Sequence, residues 1–331
     1  MASSLPARLR GRHVRRAISV PLVATSAGWL AASAGIWAPA ATALDLVTDR
    51  HRMARLRTIS FALAWSGLET IGVAAATTLW AAGRTDDREA HYALQRWWAS
   101  RLVDAIGLTT GLRMEVDGGE HLAPGPVVVC ARHASIADAL LPAWLLGRVG
   151  MHPRFVLKDE LLLDPCLDIV GNRVPNHFID RDPSDAATEL VALEELAQGM
   201  GARDAAVIFP EGTTASASRR ERAIERIRAR EPQRLADVTP LSHVLPVRPS
   251  GIRTLLAAAP HADLAFVAHH GFEALDPLLA VPGRLPLRLP VRVRVTRVAR
   301  AEVPEGEAFV PWFDRAWIEV DQWVRNAAGG G

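Results

Sequence analysis

Residues 126–142 read PVVVCARHASIADALLP, an apolar run that changes into a polar junction and then into a second apolar pattern. The run PVVVC is typical of a short buried strand, and the residues after Ser135 have the apolar spacing of a helix. His133 and Asp138 lie at the junction. In α/β proteins, ligands and catalytic groups gather where strands end, so the pattern predicts one wall of a functional site here.

From about residue 112 the chain alternates between the two kinds of pattern. Runs typical of strands occur at residues 112–118, 126–130, 154–158, 174–180, 204–209, 243–251, 263–271 and 287–299. Helical patterns occur at residues 135–149, 182–199, 216–231 and 307–326. Strands separated by helices predict an α/β domain with a mixed, largely parallel sheet flanked by helices.

Two long apolar runs precede this domain, at residues 17–44 and 58–83, and the second contains one charge, Glu69. About 20 apolar residues are enough to span a bilayer, so the two runs predict an N-terminal helical membrane hairpin. Two Ala-rich helices in a soluble core are the alternative. Arginines precede the first run and also separate the two runs, so the positive-inside rule leaves open whether the hairpin spans the bilayer or enters one leaflet.

These patterns predict four segments. Residues 1–83 are the membrane anchor and 84–110 an interfacial amphipathic helix and linker, for which packing on the main domain is the alternative. Residues 111–326 are the α/β domain, and 327–331 are a disordered tail. We expect a membrane-associated protein whose α/β domain lies on the cytoplasmic side.

Composition and missing motifs exclude several classes of function. The 38 basic and 36 acidic residues give a net charge of +2, too balanced for binding nucleic acid through phosphate neutralisation. Cys130 and Cys166 are too few for a disulfide framework or a zinc ribbon. No H-E-x-x-H motif occurs, and strand neighbours such as His269 and His270 point to opposite faces, so no metal site is expected.

The spacing of His133 and Asp138 permits acid–base chemistry. On one continuous helix the two side chains would be turned about 140° apart, but a histidine in the preceding loop can face the carboxylate. The carboxylate would fix the imidazole tautomer and leave the other ring nitrogen as a general base. No G-x-S-x-G nucleophile elbow accompanies the pair, so the base would act on a substrate hydroxyl. The alternative is a surface histidine beside an aspartate that caps a helix.

Arg181 ends the apolar stretch NHFIDR directly before a predicted helix N-terminus. A guanidinium beside free backbone N–H groups is suited to a phosphate or a carboxylate. The alternative is an ion pair with Asp180 or Asp182.

The turn at Glu211, Gly212 and Thr213 follows a further buried strand. A glycine at this position lets the backbone approach a ligand closely. Glu211 could bind a hydroxyl or hold the neighbouring backbone, and Arg219 and Arg220 follow within reach of a bound anion.

Taken together, these motifs resemble the glycerolipid acyltransferases of the lysophosphatidic acid acyltransferase family, over about residues 110–325. The four blocks of that family occur in order: H-x4-D at 133–138, a block ending in a phosphate-contacting arginine at 171–181, F-P-E-G-T at 209–213 and a hydrophobic-Pro block at 244–247. A Lys-x-Glu-Leu tract is matched at Lys158, which becomes a candidate substrate contact. Two tracts near the C-terminus are similar to the lysocardiolipin acyltransferase branch.

The resemblance implies an O-acyltransferase that moves an acyl chain from acyl-CoA or acyl carrier protein to the free hydroxyl of a lysophospholipid. His133, oriented by Asp138, would be the base, with no acyl-enzyme, cofactor or metal. Arg181 would hold the acceptor phosphate, and Glu211 and Gly212 would shape the acceptor site. The expected partners are therefore the lysolipid, the acyl thioester, the bilayer and, for one type of donor, acyl carrier protein.

Two residues depart from the family pattern. The third motif usually ends in arginine, but this chain has Thr214, and Arg132 replaces the usual polar residue before the histidine. Arg219, Arg220 or Arg248 could supply the missing phosphate contact. An acceptor without phosphate, such as an amino-lipid or glycolipid, stays an alternative, as does a catalytically silent lipid-binding protein.

Overall fold

The computed structural model describes residues 9, 11–135, 137–179 and 186–329. The chain divides into two compact units. The first unit comprises Met1–Arg113, Arg154–Glu189 and Leu279–Arg288, and the second comprises Met114–Pro153, Leu190–Leu278 and Leu289–Gly331. Residues 154–189 and 279–288, which the sequence patterns assign to the α/β domain, thus group with the N-terminal helices.

The described residues contain seven strands and eleven α-helices. The strands are β1 (Met114–Asp117), β2 (Val127–Ala131), β3 (His152–Lys158), β4 (His177–Ile179), β5 (Asp204–Ile208), β6 (Asp263–His270) and β7 (Val291–Val298). The helices are α1 (Arg12–Ala32), α2 (Ala34–Asp49), α3 (Ala54–Ala81), α4 (Arg88–Thr110), α5 (Leu140–Arg148), α6 (Pro165–Val170), α7 (Ala186–Ala197), α8 (Ala217–Arg230), α9 (Leu235–Val238), α10 (Pro249–Ala258) and α11 (Phe309–Gly329).

Five strands of the second unit are arranged in the order β1-β7-β6-β2-β5. The pairs β1–β7, β2–β6 and β2–β5 are parallel, and β6–β7 is antiparallel. In the first unit, residues 156–158 of β3 pair in parallel with β4. Four of these five pairings are parallel, so the prediction of an α/β fold with a mixed, largely parallel sheet flanked by helices is confirmed.

The side-chain patterns of the strands explain their places in the second unit. All five residues of β2 are buried, as expected for a strand covered on both faces. In β7, buried valines alternate with more exposed residues, so only one face of that strand is covered. On β6, Phe266 packs against Phe313 and Trp317 of α11, and the Trp317 indole donates a hydrogen bond to the Leu245 carbonyl at 3.0 Å.

The prediction of a strand at 243–251 is wrong. Residues 243–248 form no strand, and α10 begins at Pro249, a residue that favours the first turn of a helix. The backbone N–H groups of residues 242–244 donate to the Asp321 carboxylate of α11 at 2.5–3.0 Å. A side chain therefore satisfies the donors that a neighbouring strand would have paired. The helix α11 also continues through residues 327–329, where a disordered tail is expected, because Ala327 and Ala328 favour helix.

In the first unit, one described helix, α3, is long and apolar enough to cross a membrane. The run predicted at 17–44 is not one straight helix, because α1 and α2 meet at Ser33 with a bend of 71°. The Ser33 hydroxyl bonds to the Trp29 carbonyl at 2.6 Å, and Gly35 follows, a combination at which helices commonly kink. The apolar length of α3 supports association of this unit with a membrane.

Buried polar contacts hold the N-terminal helices within the first unit. The Arg15 guanidinium of α1 donates two hydrogen bonds to the Asp168 carboxylate of α6, each at 2.9 Å, and both side chains are buried. On α3, the Glu69 carboxylate accepts bonds from the Trp98 indole at 2.7 Å and from the Cys166 N–H at 2.9 Å. These helices are therefore integral to the unit and are more than an appended anchor.

Candidate active site

The junction after β2 brings His133 and Asp138 into contact. Asp138 lies in a short 3-10 turn, Ala137–Ala139, and its Oδ1 accepts a hydrogen bond from His133 Nδ1 at 2.7 Å. Its Oδ2 accepts the backbone N–H groups of Ala134 at 2.5 Å and Ser135 at 2.8 Å. The loop thus folds around the carboxylate, and the geometry that the H-x4-D spacing permits is the one found.

The Asp138 carboxylate is ionised despite being fully buried. Burial raises its pKa, but hydrogen bonds from His133 and His269, together with the attraction of these imidazoles, hold the pKa of Asp138 well below its usual range. An ionised carboxylate at Nδ1 keeps the proton on that nitrogen and leaves the lone pair on Nε2. The His133 side chain is 20% exposed, so the imidazole is not sealed off from solvent.

Glu211 supports the backbone of His133 from the loop after β5. Its Oε1 accepts the His133 N–H at 3.3 Å, and the side chain is almost fully buried. Burial raises the pKa of Glu211 well above its usual range, the Asp138 charge adds to the increase, and Arg132 opposes it. Of the two roles open to Glu211, the contact seen is therefore the one with neighbouring backbone.

Gly212 and Arg248 lie against each other beside this loop. Gly212 has φ of +71°, and a β carbon there would come within 3.0 Å of the Arg248 guanidinium carbon. The Arg248 N–H donates to the Pro210 carbonyl at 2.8 Å, which fixes the approach of the two segments. Thr213 follows, half-buried, and the Ala215 N–H bonds to the His133 carbonyl at 2.7 Å. The turn at residues 211–213 thus lies beside His133, and the Arg248 side chain lies against Gly212 in that turn.

The other two arginines considered as phosphate contacts are bound to the protein. Arg219 donates to the Thr214 carbonyl at 3.1 Å and to its hydroxyl, and Arg220 donates to the Ser242 carbonyl. Within the part of the chain that the structure describes, the Arg248 guanidinium forms no hydrogen bond and is exposed. Arg248 is therefore the one of the three that is free to meet an anion.

The sequence also predicts Lys158 and Arg181 as substrate contacts. Lys158 is exposed at the end of β3 in the first unit. Arg181 lies outside the described residues, as do Asp180 and Asp182, the partners considered for it.

A further layer of polar contacts surrounds the histidine and was not indicated by any motif. Arg132 is buried, and its guanidinium donates to the His269 carbonyl at 2.7 Å, to Glu273 at 2.5 Å and to the His243 carbonyl at 2.9 Å. The His269 ring in turn bonds to the Arg132 carbonyl at 2.9 Å. Because β6 runs parallel to β2, both strands end at the same edge of the sheet, and that shared edge is the signal that points to His269.

Comparison with known proteins gives one family match. Residues 113–257 match the family model described as Acyltransferase. The chain is similar in structure to the crystal structure of the 1-acyl-sn-glycerophosphate (LPA) acyltransferase PlsC from Thermotoga maritima, with a TM-score of 0.44 and 14% sequence identity over 78% of this chain and 95% of that chain. No curated protein matches the chain. The family match contains the His133–Asp138 loop and the turn at 211–213.

Proposed function

We propose that this chain, whose residues 113–257 match the Acyltransferase family model, is an O-acyltransferase that transfers an acyl chain from an acyl thioester to the free hydroxyl of a lysophospholipid. The observation that carries the proposal is the 2.7 Å contact between His133 Nδ1 and a buried, ionised Asp138. This contact leaves Nε2 of a half-buried imidazole as the base. An acceptor hydroxyl is the proton donor that such a base suits.

The proposed reaction needs no covalent enzyme intermediate. His133 Nε2 takes the hydroxyl proton as the acceptor oxygen attacks the thioester carbonyl, and Asp138 stabilises the imidazolium that forms. When the carbon–sulfur bond breaks, the imidazolium returns the proton to the departing thiolate. The nearby Ser135 and Cys130 are fully buried, and burial raises the pKa of the Cys130 thiol, so neither is placed to serve as a nucleophile.

Orientation and charge stabilisation supply the rest of the rate in this proposal. Holding the acceptor hydroxyl and the thioester in line removes much of the entropic barrier. The oxyanion needs hydrogen-bond donors. The N–H groups of residues 133–135 are already bound to Glu211 and Asp138, so these donors must come from elsewhere in the site.

The acceptor phosphate is assigned to arginines. Arg248 is exposed beside Gly212 and is suited to a charge-assisted contact with a phosphate. Arg181 and Lys158 are further proposed contacts on the strength of the family pattern, and Thr213 lines the turn that Glu211 supports. The second unit would thus combine a base with an anion-binding side chain.

The lipid substrates place the enzyme at a bilayer. The apolar helix α3 supports membrane association, and we propose that the catalytic unit faces the cytoplasm, where acyl-CoA and acyl carrier protein are found. No cofactor is proposed.

A panel of acceptors tests the function. The full chain is placed in phospholipid nanodiscs and given a labelled acyl donor, either acyl-CoA or acylated acyl carrier protein. Each donor is combined in turn with a lysophospholipid, a lyso-glycolipid or a lyso-amino-lipid. The products are identified by mass spectrometry. We expect diacyl product from a phosphate-bearing lysolipid. Product from the phosphate-free acceptors alone would overturn the acceptor assignment, and no product from any acceptor would overturn the function.

A further inference from the structure

His269 is a fully buried histidine at the edge of the sheet that carries the proposed base. Strand β6 pairs in parallel with β2, with Val267 opposite Ala131, so His269 comes level with the residues that follow β2. The proposed reaction uses only His133 and Asp138 and gives no role to this second imidazole. A histidine without solvent contact beside a buried carboxylate calls for an explanation.

The contacts of His269 indicate which of its ring nitrogens donates a hydrogen bond. Its Nε2 lies 2.9 Å from the Arg132 carbonyl oxygen and 3.4 Å from Asp138 Oδ2. A carbonyl oxygen can only accept, so Nε2 carries the proton and points between the two oxygens. Nδ1 has no hydrogen-bond partner among the described residues, and the Phe272 ring packs edge-on at 5.2 Å. The ring is therefore held in one orientation.

The two oxygens that His269 faces belong to the two sides of the catalytic pair. The Arg132 carbonyl belongs to the residue directly before His133, and Asp138 is the carboxylate that orients His133. The Arg132 guanidinium closes the arrangement by donating to the His269 carbonyl at 2.7 Å. One N–H group thus faces two oxygens, one on the backbone that leads into the base and one on the carboxylate that orients the base.

We propose that His269 is a positioning residue for acyl transfer, whose Nε2–H holds the Arg132 carbonyl and the Asp138 carboxylate together so that Asp138 stays against His133. The inference rests on the proposed function. Without this donor the buried Arg132 carbonyl loses its partner, and Asp138 is free to turn on its remaining backbone contacts. Groups that orient metal ligands typically contribute about 10- to 100-fold to activity, and we expect an effect of that size from a group that orients the Asp138 carboxylate.

Steady-state kinetics of the full chain test the proposal. In His269→Leu, which lacks the donor, we expect kcat to fall about 10- to 100-fold while KM for both substrates stays within about 2-fold. His269→Gln should recover most of kcat, because its amide N–H can reach the same carbonyl. If the leucine variant does not fold, His269→Asn replaces it, since the shorter amide cannot span the distance.

Two control variants separate positioning from stability. Leu264→Ala truncates a buried side chain on the same strand and should lower the unfolding temperature while leaving kcat near wild type. His261→Leu changes an exposed histidine of the same unit and should alter neither. Wild-type kcat in His269→Leu would overturn the proposal, as would an equal fall of kcat in His269→Leu and Leu264→Ala.

Proton NMR gives a readout that needs no substrate. The His133 Nδ1–H facing Asp138 should give a low-field signal that His133→Ala removes. We expect His269→Leu to shift or broaden this signal and His269→Gln to keep it, and an unchanged signal in His269→Leu would contradict the positioning role. If the signals behave as expected but no lysolipid is acylated by the wild type, the positioning stands and the proposed function fails.

Discussion

Among the described residues, Asp168 of the first unit and Asp138 of the second have no exposed surface, and the partners of these two aspartates differ. In the first unit Asp168 is bound by the Arg15 guanidinium through two hydrogen bonds of 2.9 Å, and in the second Asp138 is bound by the His133 imidazole at 2.7 Å. Arginine stays charged at any physiological pH, so the first pair can only hold helices together. Histidine can gain and lose a proton, so the second pair can perform chemistry.

The pairs also differ in what surrounds them. Arg15 is buried together with Asp168, whereas the His133 side chain is one-fifth exposed beside a fully buried Asp138. A catalytic pair needs one member in contact with substrate and the other shielded from water. We therefore expect changes in the first pair to affect stability and changes in the second pair to affect turnover.

The largest expected effect is on turnover in the second unit. Asp138→Asn removes the charge that keeps Nδ1 protonated and that stabilises the imidazolium, so we expect kcat to fall about 10²- to 10⁴-fold. KM for the lysolipid should change little, because Asp138 does not face the substrate. Initial rates with a labelled acyl-CoA measure this, and a fall of less than about 3-fold would remove Asp138 from the mechanism.

The next effect is on stability in the first unit. Asp168→Ala removes the buried carboxylate that accepts hydrogen bonds from Arg15 and Arg16, and it should lower the free energy of unfolding by about 3–5 kcal/mol. The control Asp104→Ala removes one member of an exposed pair with Arg101 and should leave stability near wild type. Chemical denaturation in detergent, followed by tryptophan fluorescence, measures both. Equal free energies of unfolding in the two variants would show that the buried ion pair contributes no more to stability than the exposed one.

The buried carboxyl group of Glu211 gives a test by pH. Its pKa is raised in the folded state from an ordinary value of 4.5, so the folded chain retains a proton that the unfolded chain loses as pH rises. Stability should therefore decline above about pH 4.5, by up to about 1.4 kcal/mol per pH unit, until the folded pKa is reached. Glu211→Gln should remove this decline. An identical pH dependence in wild type and variant would show that Glu211 is ionised in the folded protein.

Asp138 should produce the opposite pH dependence. Its folded pKa lies below the ordinary value of 3.8, so its contribution to stability is present above about pH 4 and is lost as pH falls through the folded pKa. The stability difference between wild type and Asp138→Asn should then shrink as the solution is acidified. Unfolding curves from about pH 2 to about pH 8 test both carboxylates together.

The smallest effect concerns the acceptor. Arg248→Ala should raise KM for a phosphate-bearing lysolipid about 10-fold and leave kcat near wild type, because the contact is to a group remote from the reacting atoms. Arg253→Ala, an exposed arginine on α10, is the matched control and should not change KM. A KM equal to the control would assign the phosphate to other residues, with Arg181 first among them.

Much of this arrangement is readable from local sequence. The fully apolar β2 and the alternating β7 were indicated by their patterns, and the H-x4-D spacing was sufficient to bring His133 and Asp138 together across a loop. These features depend on residues within a few positions of each other. The geometry of these features is therefore determined by neighbouring residues within the same stretch of sequence.

Contacts between distant segments could not be read in the same way. Residues 243–248 resemble a strand, yet the N–H groups of His243 and Val244 donate to Asp321, almost 80 positions later. His269 lies 131 positions after Asp138 and becomes its neighbour only because β6 pairs with β2. The pairing of Arg15 with Asp168 likewise turns an arginine that looks like a membrane flank into part of a buried contact.

The most direct test of the account is the rate of lysolipid acylation by His133→Ala beside the matched variant His261→Ala. We expect the surface variant to keep the wild-type rate and His133→Ala to lose at least about 10²-fold, with both unfolding like wild type. Turnover by well-folded His133→Ala at a rate near wild type would show that another group removes the proton from the acceptor.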